Sequence, residues 1–271
     1  MTDGIPTLIG LPYDGSSSFR RGAAAAPRLI REALRSPASN SWSEAGVDVA
    51  SPGSLADVGD VDLANTTDVR GAIESGIRRV LRDRGRPIAL GGDHSVTYPV
   101  LRALRATCPA LSVLHFDAHP DLYDEFEGDR FSHACPLARV MEESLADRLV
   151  QVGIRTMSGH QREQADRYGV EVIDMRAWVT GTRPVVSGPV YVSIDMDALD
   201  PAFAPGVSHR EPGGLSVREL LGVIQSLPSP IVGADVVEFN PSHDPIGLTA
   251  PVCAKVVKEV ASKMLETRLV T

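Results

Sequence analysis

Three short clusters concentrate the side chains that can hold a divalent cation: Gly91-Gly92-Asp93-His94-Ser95, Asp117-Ala118-His119-Pro120-Asp121 and Asp195-Met196-Asp197-Ala198-Leu199-Asp200-Pro201. Each follows a short apolar run, so each is expected at the end of a strand. Alternate side chains of an extended backbone share one side, which predicts that Asp117, His119 and Asp121 face together, as do Asp195 and Asp197. A solitary Asp-x-Asp or Asp-x-His is usually a turn cap, and a solitary Gly-Gly is a tight turn; three such clusters, each at a strand end, form a stronger pattern. If they meet, His94, Asp117, His119, Asp121, Asp195 and Asp197 bring four carboxylates together away from bulk water, where their mutual repulsion would raise their pKa values. Two dications would cancel that charge. One imidazole per ion with oxygen elsewhere suits Mn²⁺ better than a thiolate-preferring ion. Asp117 and Asp195, the first acid of each cluster, are the natural bridges; ions held roughly 3.5 Å apart would share a water and present it as hydroxide at neutral pH.

The elements that must position these groups follow from alternating apolar runs and amphipathic stretches. Strands are predicted over 7–11, 87–90, 111–116, 149–152, 170–173, 190–194 and 231–234, with helices over 27–34, 68–84, 98–107, 136–148, 159–168, 217–225 and 249–265. Regular strand–helix alternation predicts parallel strands joined by crossover helices. Ser36–Ser43 and Ser51–Ser54 read as early loops, and no linker divides the 271 residues. The expectation is one domain over residues 1–271, an α/β three-layer αβα sandwich with a central, mostly parallel sheet whose function gathers at the carboxyl ends of its strands.

Composition narrows the class of partner. The formal charge of −8 disfavours nucleic acid and anionic membranes. Aromatic content of 5% argues against a stacking surface for single-stranded nucleic acid. Cys108, Cys135 and Cys253 are sparse, odd in number and without a CxxC, as in a reduced cytosolic protein. No run of 18 apolar residues predicts a membrane span. The opening Met-Thr-Asp-Gly does not read as a leader, so a cytoplasmic location is expected.

These motifs resemble the arginase–agmatinase, or ureohydrolase, family over nearly the full chain. The likeness includes Gly10-Leu11-Pro12-Tyr13-Asp14-Gly15, Arg21-Gly22, Pro27-Arg28-Leu29-Ile30-Arg31, the three clusters above, Ser132-His133 and Asp235-Val236-Val237-Glu238-Phe239-Asn240-Pro241. The resemblance implies an arginase-like three-layer fold, two Mn²⁺ per subunit and a homotrimer or homohexamer. It implies one ion held by His94, Asp117, Asp121 and Asp195, and the other by His119, Asp117, Asp195 and Asp197. It places Glu238 against the substrate guanidinium and His133 at proton transfer. A centre of two dications, four aspartates, a hydroxide and Glu238 is net negative, which suits a small cationic guanidino or amidino substrate and repels phosphate. Hydroxide attack on the guanidino carbon would give a tetrahedral intermediate, and His133 would protonate the leaving amine. Asp93 and Asp200 are expected to orient a ligand or cap a turn.

The substrate loops are less decisive. Gly206-Val207-Ser208-His209-Arg210-Glu211-Pro212-Gly213-Gly214 combines a formimidoylglutamase-like Val-Ser pair with an agmatinase-like Glu-Pro-Gly-Gly. Residues 122–127 lack the Asn/Ser-rich stretch with which arginase holds its amino acid, which disfavours arginine. Two readings remain open: acidic Asp124, Glu125 and Glu127 attract the amine of agmatine, or Arg210 pairs with the carboxylate of a guanidino acid or formimidoylglutamate. The expected reaction is urea release from such a guanidino compound, with formamide release by a formimidoylglutamase, or arginase activity, as alternatives. Other classes are a single-zinc deacetylase-like enzyme, which the paired Asp195 and Asp197 disfavour, a two-metal phosphoesterase, which charge disfavours, and a non-catalytic sensor of guanidine compounds.

Overall fold

The structure is a computed structural model and describes residues 4–266. Methionine 1 to aspartate 3, part of the segment read as lacking a leader, lie outside the described residues. Eight strands form one sheet: β1 (Ile5–Gly10), β2 (Ala56–Asp60), β3 (Gly85–Leu90), β4 (Ser112–Phe116), β5 (Arg148–Ile154), β6 (Glu171–Asp174), β7 (Val190–Asp195) and β8 (Ile231–Val237). Their order is β2-β1-β3-β8-β7-β4-β5-β6, and every pairing is parallel. The helices are α1 (Ala26–Leu34), α2 (Val69–Arg82), α3 (Thr97–Arg105), α4 (Pro136–Glu142), α5 (Gly159–Tyr168), α6 (Met175–Val179), α7 (Val217–Ser226) and α8 (Thr249–Glu266). This is the expected α/β sandwich.

Alternation along the central strands feeds two cores. Ile88 and Leu90, Leu114 and Phe116, and Val192 and Ile194 point to the face covered by α1, α6, α7 and α8. Ala89, Val113 and Tyr191 point to the face covered by α2, α3, α4 and α5. Each side chain buried on either face leaves water, which is the main force holding the three layers together. No described helix is long and apolar enough to cross a membrane.

Two elements escaped the periodicity. Strand β2 is Ala-Asp-Val-Gly-Asp, an edge strand whose last four residues are exposed, so it carries no apolar alternation. Helix α6 has five residues, too few to show a period, and starts where the Asp174 carboxylate accepts from the Ala177 N–H at 2.7 Å. Helix α4 is shorter than the span predicted to Arg148. It ends at Glu142, Ser144 takes a φ of 53°, and Arg148 begins β5 beside Ser112.

Candidate metal centre

The carboxyl ends of β3, β4 and β7 bring His94, Asp117, His119, Asp121, Asp195 and Asp197 together. Contacts divide them into two groups that share Asp117. His94 Nδ1 faces Oδ2 of Asp121 at 3.0 Å, Asp117 at 3.2 Å and Asp195 at 3.3 Å. His119 Nδ1 faces Asp197 Oδ2 at 3.1 Å and the other Asp117 oxygen, Oδ1, at 3.3 Å. The backbone achieves this differently from the extended geometry expected. Strand β4 stops at Phe116 and Asp121 turns back with a φ of 51°. Strand β7 stops at Asp195, whose carboxylate caps a 3-10 turn over Met196–Ala198 by accepting from the Asp197 N–H at 2.8 Å.

The donor set fits divalent cations on a specific ground. Asp235 accepts the Ser193 hydroxyl proton at 2.8 Å, so the Ser193 oxygen is left to accept from His94 Nε2 at 3.0 Å. That fixes the ring proton at Nε2 and leaves a lone pair on Nδ1. Nδ1 is fully buried, has no hydrogen-bond partner and faces three carboxylate oxygens. Lone pairs pointed at one another in a buried site call for a cation between them. Proton affinities register the same demand. Burial lowers the His94 pKa, but contacts with Asp117, Asp121 and Asp195 outweigh it and drive it well above the usual value. Burial, then the charges of Asp197 and Asp117, push Asp195 well above the usual carboxylate range. His119 resists its burial and rises to about 12 beside Asp197 and Asp117.

Beside this cluster, His133 Nδ1 meets Glu238 Oε1 at 3.1 Å, and its Nε2 meets Ser18 Oγ at 2.8 Å. The same Glu238 oxygen accepts the His94 backbone N–H at 2.9 Å, which ties the pair to the floor. Burial would lower His133, yet the hydrogen bond and charge of Glu238 raise it to about 9. Burial would raise Glu238, and His133 holds its carboxyl below the ordinary value. Glu238 has a φ of 61°, a left-handed conformation that costs a non-glycine residue about 1 kcal/mol or more and recurs at functional sites. Ser18 arrives on the loop after β1. A Cβ on Gly92 would lie 1.7 Å from the Tyr13 carbonyl oxygen, so only glycine lets that loop rest on the end of β3. Asp93 secures the contact by accepting from the Ser16 N–H at 2.9 Å and the Ser95 N–H at 3.1 Å. Asp200 is a turn cap, accepting from the N–H groups of Ala202 and Gly213 at 2.9 and 2.6 Å.

Above the cluster opens a cavity of about 350 Å³, with Glu238 and His133 in its wall. Its rim is neutral: Ser18, Tyr123, Phe126, Thr156, Ser158 and Gln161 contribute. The four charged rim residues expected from sequence, Asp124, Glu125, Glu127 and Arg210, all lie outside the cavity lining. Arg210 is not in the cavity lining; its guanidinium donates to the backbone oxygens of Pro205 and His243, both at 2.8 Å. Asp124 is also outside the lining, and its carboxylate is held by Arg139 at 2.7 Å and Arg130 at 3.0 Å. Both corrections have one cause: each charge is already held by neighbours, partly from other segments (Arg139 of α4 and the His243 carbonyl), which sequence spacing does not reveal.

Sequence reasoning also passed over His209, which stacks on His133 with ring centroids 5.2 Å apart and is lowered by burial and then by the His133 charge. It passed over His115 and Gln151 beneath the floor as well. The available signal was polarity itself, since His115 and Gln151 interrupt apolar strand runs and buried polar groups need partners.

Residues 6–262 match a protein family described as the arginase family. The chain is 46% identical over 276 residues to "Arginase, mitochondrial" of Medicago truncatula, covering 95% of this chain and 81% of that protein. It is 38% identical to "Guanidinopropionase" of Pseudomonas aeruginosa, covering 96% and 86%. The solved structure "Arginase from Medicago truncatula" superposes with a TM-score of 0.92 at 45% identity, covering 97% of this chain and 88% of that one. The mitochondrial relative gives the cytoplasmic expectation no support.

Proposed function

The chain belongs to the arginase family, hydrolases of C–N bonds in linear amidines, and on that premise we propose that it releases urea from the guanidinium of arginine at a binuclear manganese centre. The observation that carries the metal reading is the buried His94 lone pair facing three carboxylate oxygens. In this reading His94, Asp117, Asp121 and Asp195 hold one ion, and His119, Asp117, Asp195 and Asp197 the other. When bound, two such ions lower the pKa of a shared water and offset the negative charge that develops on the substrate. The remaining chemistry belongs to the chain. Glu238 accepts from the guanidinium and orients its carbon above the floor. His133, protonated at neutral pH because it is raised to about 9, supplies the proton that lets the amine leave. Ser18 and Glu238 hold its two ring nitrogens in place.

The substrate reading departs from the expectation drawn from residues 122–127, which disfavoured arginine. With Asp124 held by Arg130 and Arg139, Arg210 held by two carbonyls, and Glu125 and Glu127 outside the cavity lining, no described residue of the rim adds a free carboxylate for a lone amine or a cation for a lone carboxylate. A zwitterionic amino-acid end, neutral overall, suits hydroxyl and amide groups such as those of Thr156, Ser158 and Gln161. Relatives named arginases at 43–46% identity point the same way. We further read the chain as a homo-oligomer, as is typical of the family.

Urea release with Mn²⁺, measured on L-arginine, agmatine, 4-guanidinobutyrate and 3-guanidinopropionate, tests the proposal, with formamide followed for formimidoylglutamate. Arginine is expected to give the highest kcat/KM. A higher value for agmatine or a guanidino acid would overturn the substrate reading while leaving the metal reading in place.

A further inference from the structure

Beneath the metal cluster, one row of polar side chains crosses four adjacent strands in register. Gln151 on β5 pairs with His115 on β4, His115 with Ser193 on β7, and Ser193 with Asp235 on β8. All four are fully buried. Ser193 and Asp235 set the His94 ring, as described above. The other half of the row, His115 and Gln151, has no role in the reaction derived so far.

His115 resembles a metal ligand at first sight, since its ring nitrogen clusters with His94 and Asp117. Its hydrogen bonds exclude that part. The Gln151 amide nitrogen lies 2.7 Å from the Pro120 carbonyl oxygen, so it must be the NH₂ group and must donate there. Its second hydrogen is directed at His115 Nδ1, 3.0 Å away. Nδ1 is therefore an acceptor, and the ring proton sits on Nε2. From there it donates to Asp117 Oδ2 at 2.9 Å. An imidazole ligand needs a lone pair towards the metal, and the His115 lone pair is turned away and already used.

We propose that His115, with its tautomer fixed by Gln151, is a positioning residue that sets Asp117 as a carboxylate shared between the two cation positions. This rests on the binuclear reading above. The geometry is specific to Asp117. Oδ2 is held by His115 on the side facing His94, and Oδ1 by the His119 backbone N–H at 2.6 Å on the side facing His119. Each oxygen is thus pinned by one donor and presented to one imidazole Nδ1. Without the His115 donor the carboxylate is free to rotate towards a single ion, and the second ion loses a shared ligand.

Two variants and two readouts test this. In His115→Phe the donor is lost at similar ring volume; in Gln151→Leu the ring remains but its tautomer is released. The wild type is expected to bind two Mn²⁺ per chain by elemental analysis after equilibrium dialysis and to show an exchange-coupled electron paramagnetic resonance spectrum. His115→Phe should weaken binding of one ion by ~10–100-fold and lose the coupled spectrum, with Gln151→Leu intermediate. Thermal unfolding of the metal-free proteins identifies a variant that fails to fold, in which case Gln151→Leu carries the comparison. Independently, ¹⁵N-histidine NMR of the metal-free wild type should show His115 as the Nε2–H tautomer. Unchanged affinity for both ions in folded His115→Phe, or a protonated Nδ1 in the wild type, would overturn the proposal. A wild-type chain that holds a single ion would overturn the binuclear reading itself, and that failure is read on the wild type rather than on the variants.

Discussion

At the floor of the pocket, candidate ligands stand at the carboxyl ends of β3, β7 and β4, largely buried and over-supplied with negative charge. At its rim, loops carry charged side chains that are already held by neighbouring groups. The floor leaves a lone pair on His94 facing three carboxylate oxygens, while the rim leaves Asp124 between two arginines and Arg210 on two carbonyls. The contrast separates two uses of charge. Where burial brings like charges together, the site suits a cation; where each charge is already hydrogen-bonded by its neighbours, it serves local shape and adds little to recognition.

Substitutions at the floor should have the largest effect. Asp195→Ala removes a carboxylate that faces His94 and is expected to lose Mn²⁺ and cut kcat by ~10³-fold or more, as metal analysis beside steady-state kinetics would show. One step up the wall, His133→Asn should lower kcat by ~10²–10⁴-fold while two Mn²⁺ per chain are retained. Loss of metal in that variant would move His133 from the wall to the floor.

The wall also has a pH signature in the metal-free protein. His133 is raised to about 9 by Glu238 against an ordinary value of 6.5, so the stabilising contribution of this pair is complete below about pH 6.5 and declines as pH rises through 9. Glu238→Gln removes the cause, and the fall of unfolding free energy with pH between those limits should become shallower by about 1.4 kcal/mol per pH unit, one proton's worth. Denaturant unfolding at several pH values measures it; an unchanged slope would mean that the pair does not bind the extra proton. The rim should respond least. Arg210→Ala and Asp124→Asn are expected to leave KM for arginine within about twofold, or ~0.4 kcal/mol. A large, selective rise in KM for a carboxylate substrate in Arg210→Ala would bring that side chain back into the pocket.

The floor was legible in sequence because its residues follow apolar strand runs in tight clusters, so their convergence did not depend on how the backbone turned. Indeed it turned differently: Asp121 and the 3-10 turn after Asp195 replace the extended segments that spacing suggested. Rim roles were illegible because Arg130, Arg139 and the carbonyls of Pro205 and His243 compete for the same charges, and loop contacts have no period. His115 and Gln151 fall between these cases. Each is visible as a polar interruption of a strand, but their pairing needs the register of β4 on β5. Strand β2 and helix α6 were missed for want of apolar pattern and of length.

Anomalous diffraction from crystals of the protein grown with Mn²⁺ tests the floor most directly. Two manganese peaks are predicted, one beside His94 Nδ1 and one beside His119 Nδ1, with a different oxygen of Asp117 directed at each. A single peak, or a peak at His115 Nε2, would contradict the account.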